Sequence, residues 1–226
     1  MEKYFGAIKS ADLFKDIEQS NFKPLLACLS ARITHYSKNQ TVFTNDSNVK
    51  RIGIVLLGQI RIIKEDYYGN RNIISDIEAG DLFGETLAFA DVDSLSFSAY
   101  CVTDSDILFV DYRKIFSPCC KACVFHNKLT YNMLHIIALK NISLNQKIEI
   151  ISRRSTSEKI LAYLSAEAQR AGSNSFSIPF NRQELADYLY VDRSAMSSEL
   201  SKLRDEGVLK YSKNRFELLK KNLPNY

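Results

Sequence analysis

The sequence predicts an α+β protein in three parts: an N-terminal antiparallel β-roll of jelly-roll type, one long helix, and a C-terminal winged helix-turn-helix. Three observations predict it. Short β-branched runs alternate with turns from residue 33 to residue 111. The period then becomes helical from residue 127 to residue 151, 25 residues without Gly or Pro. Finally, "FNRQELADYLYVDRSAMSSELSKLRDEGVL" carries the signals of two capped helices joined by a tight turn. The domains expected from these signals are residues 1–126, 127–152 and 153–226.

In the first part, "RIGIVLLGQIRIIKED" alternates around Gly53 and Gly58, and "YYGN" reads as a hairpin turn before "RNIISDI". "EAGD" is a second turn, ahead of the glycine-bearing "LFGETLAFA". "SFSAYCV", "TDSD" and "ILFVD" give two more strands and their turn. Many short strands at this spacing fold as an antiparallel roll or sandwich.

In the helical part Thr130, Leu134, Ile137, Asn141, Leu144, Ile148 and Ile151 step by four and three, which is a heptad seam. Asn141 is the clearly polar member at its centre, and one buried Asn in a seam fixes register and pairing. Leu129, Met133, Ile136 and Leu139 lie off the seam and are expected to pack on the β domain. A helix with two apolar faces suits a homodimer; a buried helix of a monomer is the alternative.

"SRRSTSEK" is a polar break in which Ser155 and Glu158 have capping-box spacing, so a helix should follow through "KILAYLSAEAQR". "AGSNS" ends it, and "FSIPF" is a short extended piece. Asn181 caps the next helix with Glu184 at its third position, and Leu185, Ala186 and Leu189 form its apolar side. The chain turns at Tyr190 and Val191. Asp192 caps a second helix whose Ala195, Met196, Leu200 and Leu203 are expected inside, and Gly207 stops it. "VLKYSKNRFELL" is then a pair of strands around a polar turn, the wing.

On the second helix Arg193, Ser194, Ser197, Ser198, Ser201 and Lys202 are expected to face outward. The first turn of such a helix enters the major groove, so Arg193 is the candidate for a bidentate contact to guanine. Arg182, Gln183, Lys202, Lys213 and Arg215 are candidates for phosphate. Charge agrees with double-stranded DNA as the partner. Up to residue 151 there are 17 Lys and Arg against 17 Asp and Glu, whereas the rest holds 13 against 9, so the whole excess of +4 lies in the C-terminal domain. A winged helix used for protein contact, within an effector-binding regulatory module, is the competing expectation. An enzyme is not expected, because no glycine-rich phosphate loop or nucleophile–base constellation is visible. The longest apolar run, "IGIVLLG", is far below the roughly 20 residues of a membrane span, and no secretory signal pattern is present. A cytoplasmic protein without a membrane partner is expected.

Three of the five cysteines fall in "SPCCKACVFH", residues 117–126. Cys119, Cys123 and His126 would share a helical face, and Cys120, Cys123 and His126 have the Cys-x2-Cys-x2-His spacing of a soft metal site. A helix starting at Ser117 would also put Cys119 and Cys120 at its positive end, favouring thiolate. The other reading is packing, since cysteine is a good small core residue and Phe116, Val124 and Phe125 are apolar neighbours.

The order β-roll, long helix, winged helix resembles the Crp/Fnr superfamily of bacterial transcription regulators across roughly residues 15–220. "GDLFGE" (Gly80 to Glu85) and "RQELADYLYVDRSAMSSEL" (Arg182 to Leu200) are its most specific marks. The resemblance implies a cyclic-nucleotide-binding-like domain, a homodimer controlled by a small-molecule effector, and RNA polymerase as a further partner. It places the effector pocket at Gly84, Glu85, Thr86, Leu95 and Ser96. In the cyclic-AMP-binding members a Gly-Glu pair grips the ribose and an Arg-Ser pair the phosphate. Here Gly84 and Glu85 match the first, but Leu95 stands where the arginine would be, before the matching Ser96. The positions that meet adenine hold Leu144 and Asn145. A buried phosphate without a cation is costly, so cyclic AMP is not the expected effector. Ser198 stands where many members carry another base-reading arginine. The iron–sulfur members use an N-terminal group of cysteines, and no cysteine precedes Cys28.

Overall fold

The computed structural model describes residues 2–43, 51–67, 69, 71–89, 97–117 and 124–219, in two compact units, Met1–Lys140 and Asn141–Tyr226. The first unit opens with α1 (Phe5–Ser10) and α2 (Phe22–Cys28). The strands follow: β1 (Arg32–Tyr36), β2 (Thr41–Phe43), β3 (Arg51–Leu57), β4 (Ile60–Glu65), β5 (Arg71–Ile77) and β6 (Leu82–Phe83). A short helix, α3 (Glu85–Phe89), separates them from β7 (Phe97–Cys101) and β8 (Ser105–Asp111). The strands pair antiparallel in two four-stranded sheets, in the orders β1-β8-β3-β6 and β2-β7-β4-β5.

The alternation of β3 explains why the roll has two cores. Val55 enters the interior with Ile60, Ile77, Phe83, Ala99, Cys101 and Ile107. Ile52, Ile54 and Leu56 face the opposite way, onto Phe14, Phe22, Leu25 and Leu29 of the N-terminal helical region. Successive side chains of a strand point to opposite faces, so a single apolar run serves both. Gly53 lies on the interior side, and a Cβ there would stand 2.4 Å from the Phe83 ring. Gly58, at φ +88°, turns the chain from β3 into β4.

α4 (Arg113–Phe116) ends at Ser117, whose Oγ donates to the Arg113 carbonyl at 2.8 Å. α5 (Val124–Ile151) starts three residues before the position expected from the periodicity. Leu129, Met133 and Ile136 join the core of the first unit, and buried Asn132 donates to the carbonyls of Leu13 and Lys15, both at 3.0 Å. Leu139 does not join them: it is 44% exposed, because the helix has by then left the N-terminal core. The two units therefore part within α5, between residues 140 and 141, rather than at either of its ends.

In the second unit α6 (Thr156–Ala171) begins at the Ser155/Glu158 capping box and ends at Gly172 in the left-handed conformation. β9 (Ser175–Ser177) precedes α7 (Arg182–Leu189) and α8 (Arg193–Asp205), and β10 (Leu209–Ser212) and β11 (Arg215–Leu218) complete a sheet of order β10-β11-β9. "FSIPF" thus supplies the third strand of the wing sheet. Ile160, Leu164, Leu185, Ala186, Met196, Leu200, Leu203 and Phe216 form the buried centre. Ala195 is exposed, contrary to expectation. It lies in the first turn of α8, ahead of the point where that helix meets the core.

Candidate nucleic-acid interface and effector pocket

The helix-turn-helix is set by a cap at the start of each of its helices. Asn181 accepts from the Glu184 N–H at 3.0 Å, and the Glu184 carboxylate accepts from the Asn181 N–H at 2.7 Å. Tyr190, at φ +57°, makes the turn. Asp192 then accepts from the Ala195 N–H at 2.9 Å and from the Ser194 hydroxyl. The Ser194 bond, with the Ala195 N–H, holds the Asp192 carboxyl below the usual aspartate range. Ser194 is therefore tied to the cap, while Arg193 beside it is exposed at the helix start.

Ser197, Ser198 and Lys202 are exposed on α8, and Lys213 and Arg215 are exposed on the wing. Ser201 is half-buried, with its hydroxyl 3.4 Å from that of Tyr211. Gln183 is exposed and donates to Asp187 at 2.7 Å. Arg182 departs from the phosphate set. Its guanidinium lies over the rings of Tyr211 at 4.7 Å and Phe216 at 5.1 Å, and Nη1 is buried without a hydrogen-bond acceptor. Burial lowers its pKa. Arg182 fastens α7 to the wing strands by stacking, a role that its charge alone did not reveal.

A second cation was not anticipated. Lys147 of α5 is only 8% exposed, and its Nζ lies 4.0 Å from the centre of the Tyr188 ring on α7 and 5.7 Å from that of Tyr190 in the turn. Tyr188 in turn packs at a tilt against Tyr163 and Phe180, with ring centres 5.3 and 4.9 Å away. The last turns of the long helix thus hold the end of α7 and the turn after it through one buried ammonium. An i-to-i+n pattern cannot signal this pairing, since the partners are about 40 residues apart.

In the roll, Gly84 takes φ +82° and delivers Glu85 to the first turn of α3. Glu85 Oε1 pairs with Lys140 Nζ of α5 at 2.7 Å, and the same ammonium donates to the Leu82 carbonyl at 2.5 Å. Glu85 Oε2 is buried without a partner, and Thr86 is exposed. Phe83, just before Gly84, stacks on Phe43 at 6.1 Å and meets Phe109 edge-on at 6.3 Å. Leu95 and Ser96 lie outside the described residues, as do Cys119, Cys120 and Cys123. Leu144 and Asn145 are exposed, with Asn145 donating to Asn141 at 3.0 Å.

The cyclic nucleotide-binding domain family matches residues 33–119, and the Crp-like helix-turn-helix domain family matches residues 158–222. The chain is similar to the nitrogen fixation regulation protein FixK of Bradyrhizobium diazoefficiens, with 25% identity over 184 residues, 79% of this chain and 74% of that protein. FixK2 from Bradyrhizobium japonicum has a similar fold, with a TM-score of 0.64 at 20% identity over 84% of this chain and 93% of that one. So does the c-di-GMP-responsive global regulator CLP of Xanthomonas campestris, with a TM-score of 0.73 at 16% identity over 90% of this chain and 100% of that one. With a cyclic nucleotide-binding domain ahead of a Crp-like helix-turn-helix, in the fold of these regulators, the chain belongs to the Crp/Fnr superfamily.

Proposed function

We propose that the chain is a homodimeric, sequence-specific DNA-binding transcription regulator acting in the cytoplasm. The observation that carries this reading is Arg193: an exposed guanidinium in the first turn of a capped second helix, which is followed by a wing carrying exposed Lys213 and Arg215. Arg193 reads a guanine edge in the major groove, Ser197 and Ser198 line the same groove, and Gln183, Lys202, Lys213 and Arg215 meet phosphate. Ser194 acts mainly by holding the Asp192 cap.

Dimerisation is supported by the surface of α5. Leu134, Ile137, Leu144 and Ile148 of the heptad seam are 40–60% exposed, with Asn141 exposed among them. An apolar stripe of this length on one helix is suited to a second copy of the same helix. Two subunits then present their recognition helices about one DNA turn apart, to a roughly palindromic site. An effector shifts the population towards the arrangement with that spacing, and RNA polymerase is the downstream partner.

Cyclic AMP is not that effector in this reading. Glu85, the ribose-gripping position, is engaged by Lys140, and the sequence offers Leu95 where a phosphate cation is needed. The effector is a different small molecule, or the control is by metal or thiol chemistry. Binding-site selection with the full chain tests the central reading. One enriched, dyad-symmetric site for the wild type, and a relaxed preference for Arg193→Ala, are expected. Binding without any sequence preference would refute it.

A further inference from the structure

We propose that Tyr211 is the positioning residue of the wing: it fixes the angle between the wing tip and α8, so that Lys213 and Arg215 reach phosphate while Arg193 lies in the major groove. This rests on the DNA-binding reading above and adds to it a residue that acts through others. Four side chains from three other elements converge on Tyr211. The Arg182 guanidinium of α7 lies 4.7 Å from its ring centre, and that of Arg204 on α8 lies 5.8 Å from it. Its hydroxyl is 3.4 Å from that of Ser201 on α8, and the Phe216 ring of β11 is 6.0 Å away. Arg204 also pairs with Asp205 at 3.0 Å, so the ring is a second partner for it.

The place of Tyr211 in its strand gives this cluster a consequence. β10 is the edge of its sheet and pairs with β11. Inter-strand bonds run within the sheet, so they fix the hairpin itself but not its angle to α8. Along β10, Leu209 is buried, Lys210 and Ser212 are exposed, and Tyr211 is half-buried. Side chains alternate across a strand, so Tyr211 is the last inward residue before the turn that carries Lys213, at φ +53°. It stands opposite Phe216, the first buried residue after that turn. The tip from Ser212 to Arg215 thus extends beyond a base formed by Tyr211 and Phe216, and Tyr211 links that base to α8 through Ser201 and Arg204. Arg182 adds a link to α7. Its Nη1 is buried without a hydrogen-bond acceptor, and the rings of Tyr211 and Phe216 attract its charge. An aliphatic side chain at 211 would fill the space without attracting either guanidinium.

The test uses the full chain and the DNA site that the wild type selects, with affinity measured over a range of salt. Tyr211→Leu should lower the salt slope by about two, as Lys213→Ala/Arg215→Ala does when two cations leave phosphate. The base preference set by Arg193 should persist. In the Lys213→Ala/Arg215→Ala background, Tyr211→Leu should change affinity by less than about twofold, because its effect runs through those cations. Tyr211→Phe, which keeps the ring beside both guanidiniums, should retain the wild-type slope. A wild-type slope in folded Tyr211→Leu overturns the proposal. So does an equal loss of affinity with and without the two wing cations, which would mark a general loss of structure. If Tyr211→Leu does not fold, Ser201→Ala/Arg204→Leu cuts the link from the α8 side. That variant should lower the slope and lose its effect in the same background, and an unchanged slope there also overturns the proposal. A wild type that selects no site overturns the DNA-binding reading and this proposal with it. A wild type that binds specifically, beside a variant that behaves identically, overturns this proposal alone.

Discussion

Lys140 Nζ lies 2.7 Å from Glu85 Oε1, which joins the long helix to the turn that follows β6. The side chains are 30% and 12% exposed, so the pair is between a surface bridge and a buried one. Removing the cation by Lys140→Met leaves a largely buried carboxylate and should destabilise the first unit by about 1–2 kcal/mol. Adding Glu85→Gln should recover part of that loss, because the neutral amide no longer needs a cation. Chemical denaturation of the two single variants and the double variant checks this; strict additivity would contradict the pairing.

The exposed seam of α5 yields a prediction at a distance from DNA. Ile137→Ser and Leu144→Ser should each shift sedimentation towards monomer and weaken DNA affinity by roughly tenfold or more. A monomeric variant with full affinity would rule out the paired-helix mechanism. Asn141→Leu should raise dimer stability while loosening register, seen as mixed oligomers in sedimentation.

Two arginines at neighbouring helix starts should behave differently. Arg182→Ala removes a guanidinium stacked on Tyr211 and Phe216 and should lower the stability of the second unit by about 1–2 kcal/mol. Arg193→Ala should leave thermal stability unchanged and relax sequence preference. Lys213→Ala should weaken binding evenly across sequences and reduce the salt slope by about one. A selection in which Arg182→Ala alone changed the preferred sequence would reverse these roles.

The Asp192 cap gives a pH dependence with a definite sign. Its carboxyl is held below the usual aspartate value by the Ser194 hydroxyl and the Ala195 N–H. The stabilisation is therefore present above the ordinary aspartate pKa and is lost as pH falls through the lower folded value. Amide exchange in the first turn of α8 should accelerate only under acid conditions below that ordinary value. Asp192→Ala should show the faster exchange at neutral pH as well, whereas Asp192→Asn should retain protection.

Patterns with a short sequence range were legible. Ser155–Glu158, Asn181–Glu184 and Asp192 formed caps where their spacing placed them, since a cap uses only the local chain. The long helix was equally plain, although α5 begins at Val124 and Leu139 is 44% exposed. The N-terminal helices went unread. Their buried residues, among them Ile8, Phe14 and Phe22, fall in segments too short for a period to declare itself.

What the sequence determined by itself was the order of parts, the caps and turns, and the candidate recognition arginine. Each rests on residue type at close spacing, where the backbone fixes which side chains meet. Tertiary structure decided the long-range partners: Lys140 on Glu85, Lys147 on Tyr188 and Arg182 on the wing. In each of these, burial by other elements sets what a charged or aromatic side chain does, and no local spacing encodes which element will arrive there.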